Sequence, residues 1–100
     1  MAFEKDWSHA ASSDLNRIVE YHDARDPDWT DAIVTAIMEK FDSLLDNPYL
    51  SPIHKLTRWG EVRVALAGSY RLFFRINEAD QFVRLERILH AHQQDPDFPV

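Results

Sequence analysis

The residue types with the most chemical capacity gather in one stretch, Gly68–Ile76, which reads Gly-Ser-Tyr-Arg-Leu-Phe-Phe-Arg-Ile. Arg71 and Arg75 flank Phe73 at a spacing of two. In an extended chain those three side chains share one face, and Tyr70, Leu72, Phe74 and Ile76 share the other. The apolar set is what a strand turns toward a core. The other set is too basic and aromatic for a plain solvated face and suits the binding of an anionic partner. His90 is placed to give or take a proton near neutral pH. Trp59, beside Gly60, either contacts a partner or packs beneath its own loop.

Plainer roles compete for the same residues. Arg63 and Arg75 can pair across strands with Glu61, Glu86 or Asp80. His90 can be a hydrogen-bonded structural histidine. His54 lies near Lys55 and Arg58, where a solvated cluster is expected, and Trp29 is expected to anchor two helices. There is no cysteine, which removes disulfides and thiol catalysis. His9, His22, His90 and His92 lack a zinc-like spacing, so neither metal nor cofactor is expected.

Elements must hold this stretch in place. Val62, Val64 and Leu66 alternate with Arg63, Ala65 and Ala67 just before Gly68-Ser69, which can form a tight turn. The run Val62–Ile76 is therefore predicted as an antiparallel hairpin, with Gly68–Ile76 central in its sheet. Upstream, Ala2–Trp7 is predicted as an edge strand. Ser12 or Ser13 is predicted to cap a first helix, in which Leu15, Ile18, Val19 and His22 form one stripe. That helix should stop near Arg25. Asp26 and Pro27 suit the start of a second, whose apolar positions run from Trp29 to Leu45, with an end at Asn47-Pro48. Tyr49–Gly60 reads as a loop. A last strand spans Val83–Leu89, with a bulge near Glu86-Arg87 to repair its phase. Gln93–Val100 reads as a loose tail. The order β-α-α-β-β-β gives one α+β domain, a helical hairpin on one face of a small antiparallel sheet.

Composition agrees with one such domain. At 100 residues and 45% apolar, the chain can build a modest core. No apolar run nears the roughly 20 residues that span a bilayer, and no leader precedes the first strand, so a cytoplasmic protein without membrane contact is expected. Net charge is −6, unevenly spread. Residues 1–50 hold 11 acids and 4 bases, and residues 51–100 hold 6 acids and 7 bases. An acidic total argues against strong non-specific nucleic-acid binding. The locally basic second half leaves room for an acidic or nucleic partner.

Taken together, Asp14–Ile18, Leu44–Pro48, the Gly68–Ile76 strand and Ile88-Leu89-His90 resemble, in order and spacing, the RelE/ParE superfamily of bacterial type II toxins. The resemblance implies a small toxin neutralised by a cognate antitoxin. In the RelE-like branch, a ribosome-dependent mRNA endonuclease, it implies catalytic roles for Arg63, Arg71 and His90. Such chemistry moves a proton off the ribose 2′-OH and stabilises a crowded phosphate. In the ParE-like branch the target is DNA gyrase, and Arg71, Arg75 and Trp59 are the residues expected to meet a partner. The fold also uses the Arg71 position as an anchor for strands or the C-terminal segment. Three departures favour the ParE-like branch: Ala65 stands where nucleases often have a base, no Tyr or Phe closely follows His90, and the chain is acidic. A relic of the fold that binds without toxicity is the third alternative.

Overall fold

The computed structural model describes residues 3–98. Strand β1 (Glu4–Trp7) leads into helix α1 (His9–Asp23) and helix α2 (Pro27–Asp46). A single 3-10 turn at Pro48–Leu50 precedes β2 (Ile53–Thr57), β3 (Gly60–Ala67), β4 (Tyr70–Asn77) and β5 (Phe82–His90). The sheet runs β1-β5-β4-β3-β2, so the Tyr-Arg strand is central and β1 lies at an edge. The predicted α+β arrangement, a helical hairpin on one sheet face, is what forms. The expected start of β1 at Ala2 lies outside the described residues.

Three local expectations are corrected. First, the sheet is mixed: β1 pairs with β5 in parallel, Glu4 opposite Phe82 through Trp7 opposite Leu85. A four-residue strand carries no mark of its direction, which is set by how the helices return the chain. Second, the stretch read as a loop holds strand β2, antiparallel to β3. The register slips between Ile53 and Lys55, so His54 breaks the alternation that would have marked a strand.

Third, α1 begins a turn earlier than Ser12. Ser8 is its cap, with Oγ accepting from Ala11 N at 3.0 Å. The same hydroxyl donates to the Glu86 carbonyl at 2.8 Å, tying the helix start to β5. Ser8→Ala is therefore expected to lower stability by about 1–2 kcal/mol. Ser12→Ala, at an exposed site in the first turn that caps nothing, should stay within ~0.5 kcal/mol. Urea unfolding of the two variants checks this, and equal midpoints would reject the Ser8 cap.

Asp26 caps α2 as its sequence suggested, accepting from Asp28 N and Trp29 N with Pro27 in the first turn. Its buried stripe of Thr30, Ile37, Phe41 and Leu44 follows the helical period. Phe41 also meets the Trp7 ring edge-on at 5.3 Å.

The core divides by the pleat of the central strands. Leu72 and Phe74 of β4, with Ala65, Ala67, Val83 and Leu85, pack under Ile18, Ile37 and Phe41 of the helices. Val62, Phe73 and Leu89 point the other way and form a second cluster with Phe98. Gly68 opens the β3–β4 turn at φ 57°, a left-handed backbone that glycine adopts without strain.

The bulge predicted near Glu86 is present. Phe73 faces Arg87 and Phe74 faces Leu85, which leaves Glu86 as the extra residue. It solves a charge problem, because Arg75 and Arg84 are direct cross-strand neighbours. Glu86 reaches Arg75 at 2.7 Å and Arg84 at 4.0 Å, while Asp6 takes Arg84 at 2.7 Å.

Candidate functional site

The helices cover one face of the sheet, and the opposite face carries Arg71, Phe73 and Arg75 from β4. The bulge in β2 turns His54 onto this second face, where its ring meets Phe73 at 4.9 Å. His54 is thus part of an aromatic cluster and not of a solvated one. Lys55, opposite Val62, stands on the same side.

Residues 93–98, read from the sequence as a loose tail, lie across this face. Arg71 Nη1 donates to the Asp95 carboxylate, and Nη2 donates to the Gln93 carbonyl at 2.8 Å. Lys55 Nζ donates to the Phe98 carbonyl at 2.5 Å. The Phe98 ring is only 6% exposed and tilts against Phe73 at 5.9 Å. The Arg75 guanidinium lies 5.6 Å from the same ring. The hydrogen bond from Arg71 holds the Asp95 carboxyl below the usual carboxylate range. A carboxylate with a lowered folded-state value keeps its contribution above the ordinary range and loses it as pH falls through that lower value. The Arg71–Asp95 contact is therefore intact at neutral pH. Asp95 and Phe98 are site residues that sequence reasoning missed. Their only signal was an aromatic following Asp-Pro-Asp in an otherwise polar tail.

The three residues assigned to nuclease chemistry are not brought together. Arg63 pairs in register with Phe74, so it lies on the helix-covered face. There it donates to the carbonyls of Tyr49 at 3.2 Å and Ser51 at 2.6 Å, and to Glu61 at 2.8 Å. Arg71 pairs with Leu66 and Leu89 and points to the opposite face. His90 pairs with Tyr70 at the end of β5, on the same face as Arg63 but across the central strand from it. Arg75 takes Glu86 across the β4–β5 pair as expected, whereas Arg63 takes Glu61 of its own strand and not a carboxylate across the sheet.

His90 borders a groove of about 540 Å³ between α1 and β5, with Arg17, Tyr21, His22 and Tyr70. The Tyr70 hydroxyl and His22 Nε2 are 2.8 Å apart. Burial, and secondarily the nearby Tyr21 phenol, pushes the Tyr70 hydroxyl above its ordinary value. Asp14 closes the edge of β5 beside this groove, accepting from Ile88 N at 2.9 Å and Arg87 Nε at 2.7 Å. That hydrogen bond holds Arg87 more firmly protonated than usual.

The tryptophans differ from expectation. Trp29 is 59% exposed and does not anchor the helices from within. Trp59 is 70% exposed at the β2–β3 turn, so packing under a loop is ruled out and its indole is free to meet a partner. Among the described residues, no group of three or more His, Asp or Glu could hold a metal ion. Among the described residues, no helix is long and apolar enough to cross a membrane.

A known family matches the sequence, and solved structures share the fold. The family described as ParE toxin of type II toxin-antitoxin system, parDE, matches residues 6–95. The chain belongs to the ParE toxin family. It is a ParE-type toxin of the RelE/ParE superfamily. The match starts at Asp6 within β1, runs through β5 and ends at Asp95, the residue that engages Arg71. A solved chromosomal ParDE toxin-antitoxin system from P. aeruginosa has a chain that superposes with a TM-score of 0.71 at 17% identity, covering 89% of this chain and 96% of that one. A chain of the toxin-antitoxin complex RelBE2 from Mycobacterium tuberculosis superposes at 0.63 and 21% identity, covering 90% and 99%. At such identities the likeness is one of fold. No curated protein sequence matches at a significant level.

Proposed function

We propose that this ParE-family chain is a cytoplasmic toxin that inhibits DNA gyrase and is neutralised by a cognate antitoxin. One observation carries the choice of gyrase over mRNA cleavage. Arg63 and His90 lie on the helix-covered face with strand β4 between them, Arg63 opposite Phe74 and His90 opposite Tyr70, and Arg71 lies on the other face. Cleaving a phosphodiester beside a 2′-OH needs its acid, base and phosphate-binding groups within hydrogen-bond reach of one scissile group. The sheet lies between Arg71 and the other two candidates. Arg63 and Arg71 are also committed to internal acceptors.

A partner that binds without chemistry needs no such convergence. The exposed Trp59 indole and the arginine face suit recognition by contact. The antitoxin reading rests on the family and on neighbours that were solved as toxin-antitoxin complexes. Purified protein is expected to inhibit gyrase supercoiling in vitro and to leave ribosome-bound mRNA intact. Cleavage of ribosome-bound mRNA that Arg71→Ala abolishes, with the fold retained, would overturn the reading in favour of the nuclease. Unchanged supercoiling with no cleavage would leave a binding relic in its place.

A further inference from the structure

Residues 93–98 meet the arginine face as a ligand bound in cis would. The Asp95 carboxylate and the Gln93 carbonyl answer Arg71. The Phe98 carbonyl answers Lys55, and the Phe98 ring enters a pocket made by Phe73, His54 and Arg75. An acidic segment with an aromatic three residues after its carboxylate thus satisfies cations and an apolar floor together.

The fit is incomplete. Arg71 Nε and Arg75 Nε are buried without a hydrogen-bond partner among the described residues, and so is Glu86 Oε1. Native structures leave few such groups, and each calls for a cause. A guanidinium offers Nε and Nη as a fork that matches both oxygens of one carboxylate. The tail instead gives Arg71 one carboxylate at Nη1 and one carbonyl at Nη2. A carboxylate arriving from another chain has no covalent tether and can engage the whole fork. The tail is also built to leave, since residues 91–95 and Asp97 are exposed and only Phe98 is buried.

We propose that the arginine face is a docking surface for an acidic peptide segment of a partner protein, one bearing an aromatic residue about three positions after a carboxylate, and that residues 93–98 guard it as a strap the segment displaces. Charge and shape complementarity select the class of segment, and the strap sets its apparent affinity. Binding is weakened by the fraction of molecules in which the strap is closed.

A labelled synthetic peptide with the sequence of residues 91–98 serves as the probe, titrated into the full chain and followed by fluorescence anisotropy. Asp95→Asn/Phe98→Ala opens the strap and should bind the peptide at least about tenfold tighter than the parent chain, with Asp95→Asn alone in between. Adding Arg71→Gln to the opened variant should abolish binding, and a peptide with both aspartates changed to asparagine should not bind. Circular dichroism checks each fold. If the double variant does not fold, Asp95→Asn, at an exposed side chain, carries the comparison and must still exceed the parent by about threefold. Equal affinities for parent and opened chains, no binding to either, or binding that survives Arg71→Gln would overturn the proposal. So would a single-stranded oligonucleotide that displaces the peptide at lower concentration, since the face would then be a nucleic-acid site. None of these readouts uses toxicity, so the outcome stands apart from the gyrase assay.

Discussion

Asp14→Ala is expected to destabilise the protein by about 3 kcal/mol, the low end for breaking a buried ion pair. The carboxylate is 3% exposed and accepts four hydrogen bonds, from Arg17 Nη2, Arg87 Nε, Arg87 Nη2 and Ile88 N. Its loss strands the Ile88 amide in a position where the residue is 2% exposed, which alone costs about 1–3 kcal/mol. It also leaves Arg87 with no carboxylate. The Arg87 side chain keeps 31% of its surface in water, and that solvation holds the total near the lower bound. For a 100-residue domain, whose whole stability is of order 5–15 kcal/mol, this is a large share. Asp14→Asn keeps an acceptor for Ile88 and should lose about half as much. Urea unfolding measures both, and a cycle with Arg87→Ala isolates the pair. An Asp14→Ala loss under about 1 kcal/mol would mean the carboxylate does not tie α1 to β5.

Phe74→Ala is the second large effect, at about 3–5 kcal/mol. Phe74 is fully buried in the middle of the central strand, between Leu85 and Arg63, and belongs to the cluster that holds Ile37 and Phe41. Those neighbours come from helix α2 and from strands β3 and β5, which cannot close in on a void together, so the cavity persists. The melting temperature should fall by at least about 12 °C, taking roughly 4 °C per kcal/mol for a domain of this size. Phe73→Ala makes the useful contrast. Phe73 is also fully buried, yet its lid is Phe98 on the strap, which can settle into the space. Its cost should lie at or below about 3 kcal/mol, because a site that collapses loses less. Thermal unfolding compares the two, and a Phe73 loss equal to that of Phe74 would show that the strap is as fixed as the helices.

These contrasts show where reading the residues in order succeeded. Tyr70, Leu72 and Phe74 against Arg71, Phe73 and Arg75 gave the two faces of β4, because a strand alternates by geometry alone. Asp26-Pro27 gave the start of α2, because a cap and a first-turn proline act within a few residues. The faulty phase of β5 gave the bulge at Glu86 for the same reason. By contrast, Ser12 and Ser13 drew attention from Ser8, whose hydroxyl earns its place partly through Glu86, far along the chain. The strand at Ile53–Thr57 was hidden because its own bulge at His54 spoils the alternation. Arg63 and Arg71 looked like partners because both are basic and both sit on adjacent strands. Their register, not their spacing, sends them to opposite faces.

The chain order alone set the α+β class, the helical hairpin, the central Tyr-Arg strand and the likeness to the toxin family. Each depends on short-range periodicity, capping or turn chemistry, which a linear sequence carries in full. Folding in three dimensions settled the parallel pairing of β1 with β5, the separation of Arg63, Arg71 and His90, and the closing of the arginine face by Asp95 and Phe98. The parallel pairing and the closed face depend on contacts between residues far apart in the chain, as in Arg71 with Asp95, 24 positions on, and Glu4 with Phe82, 78 positions on, while the separation of Arg63 from Arg71 follows from the register of the β3–β4 hairpin. At such separations no local preference acts, and only the balance of burial and charge across the whole fold selects the partner.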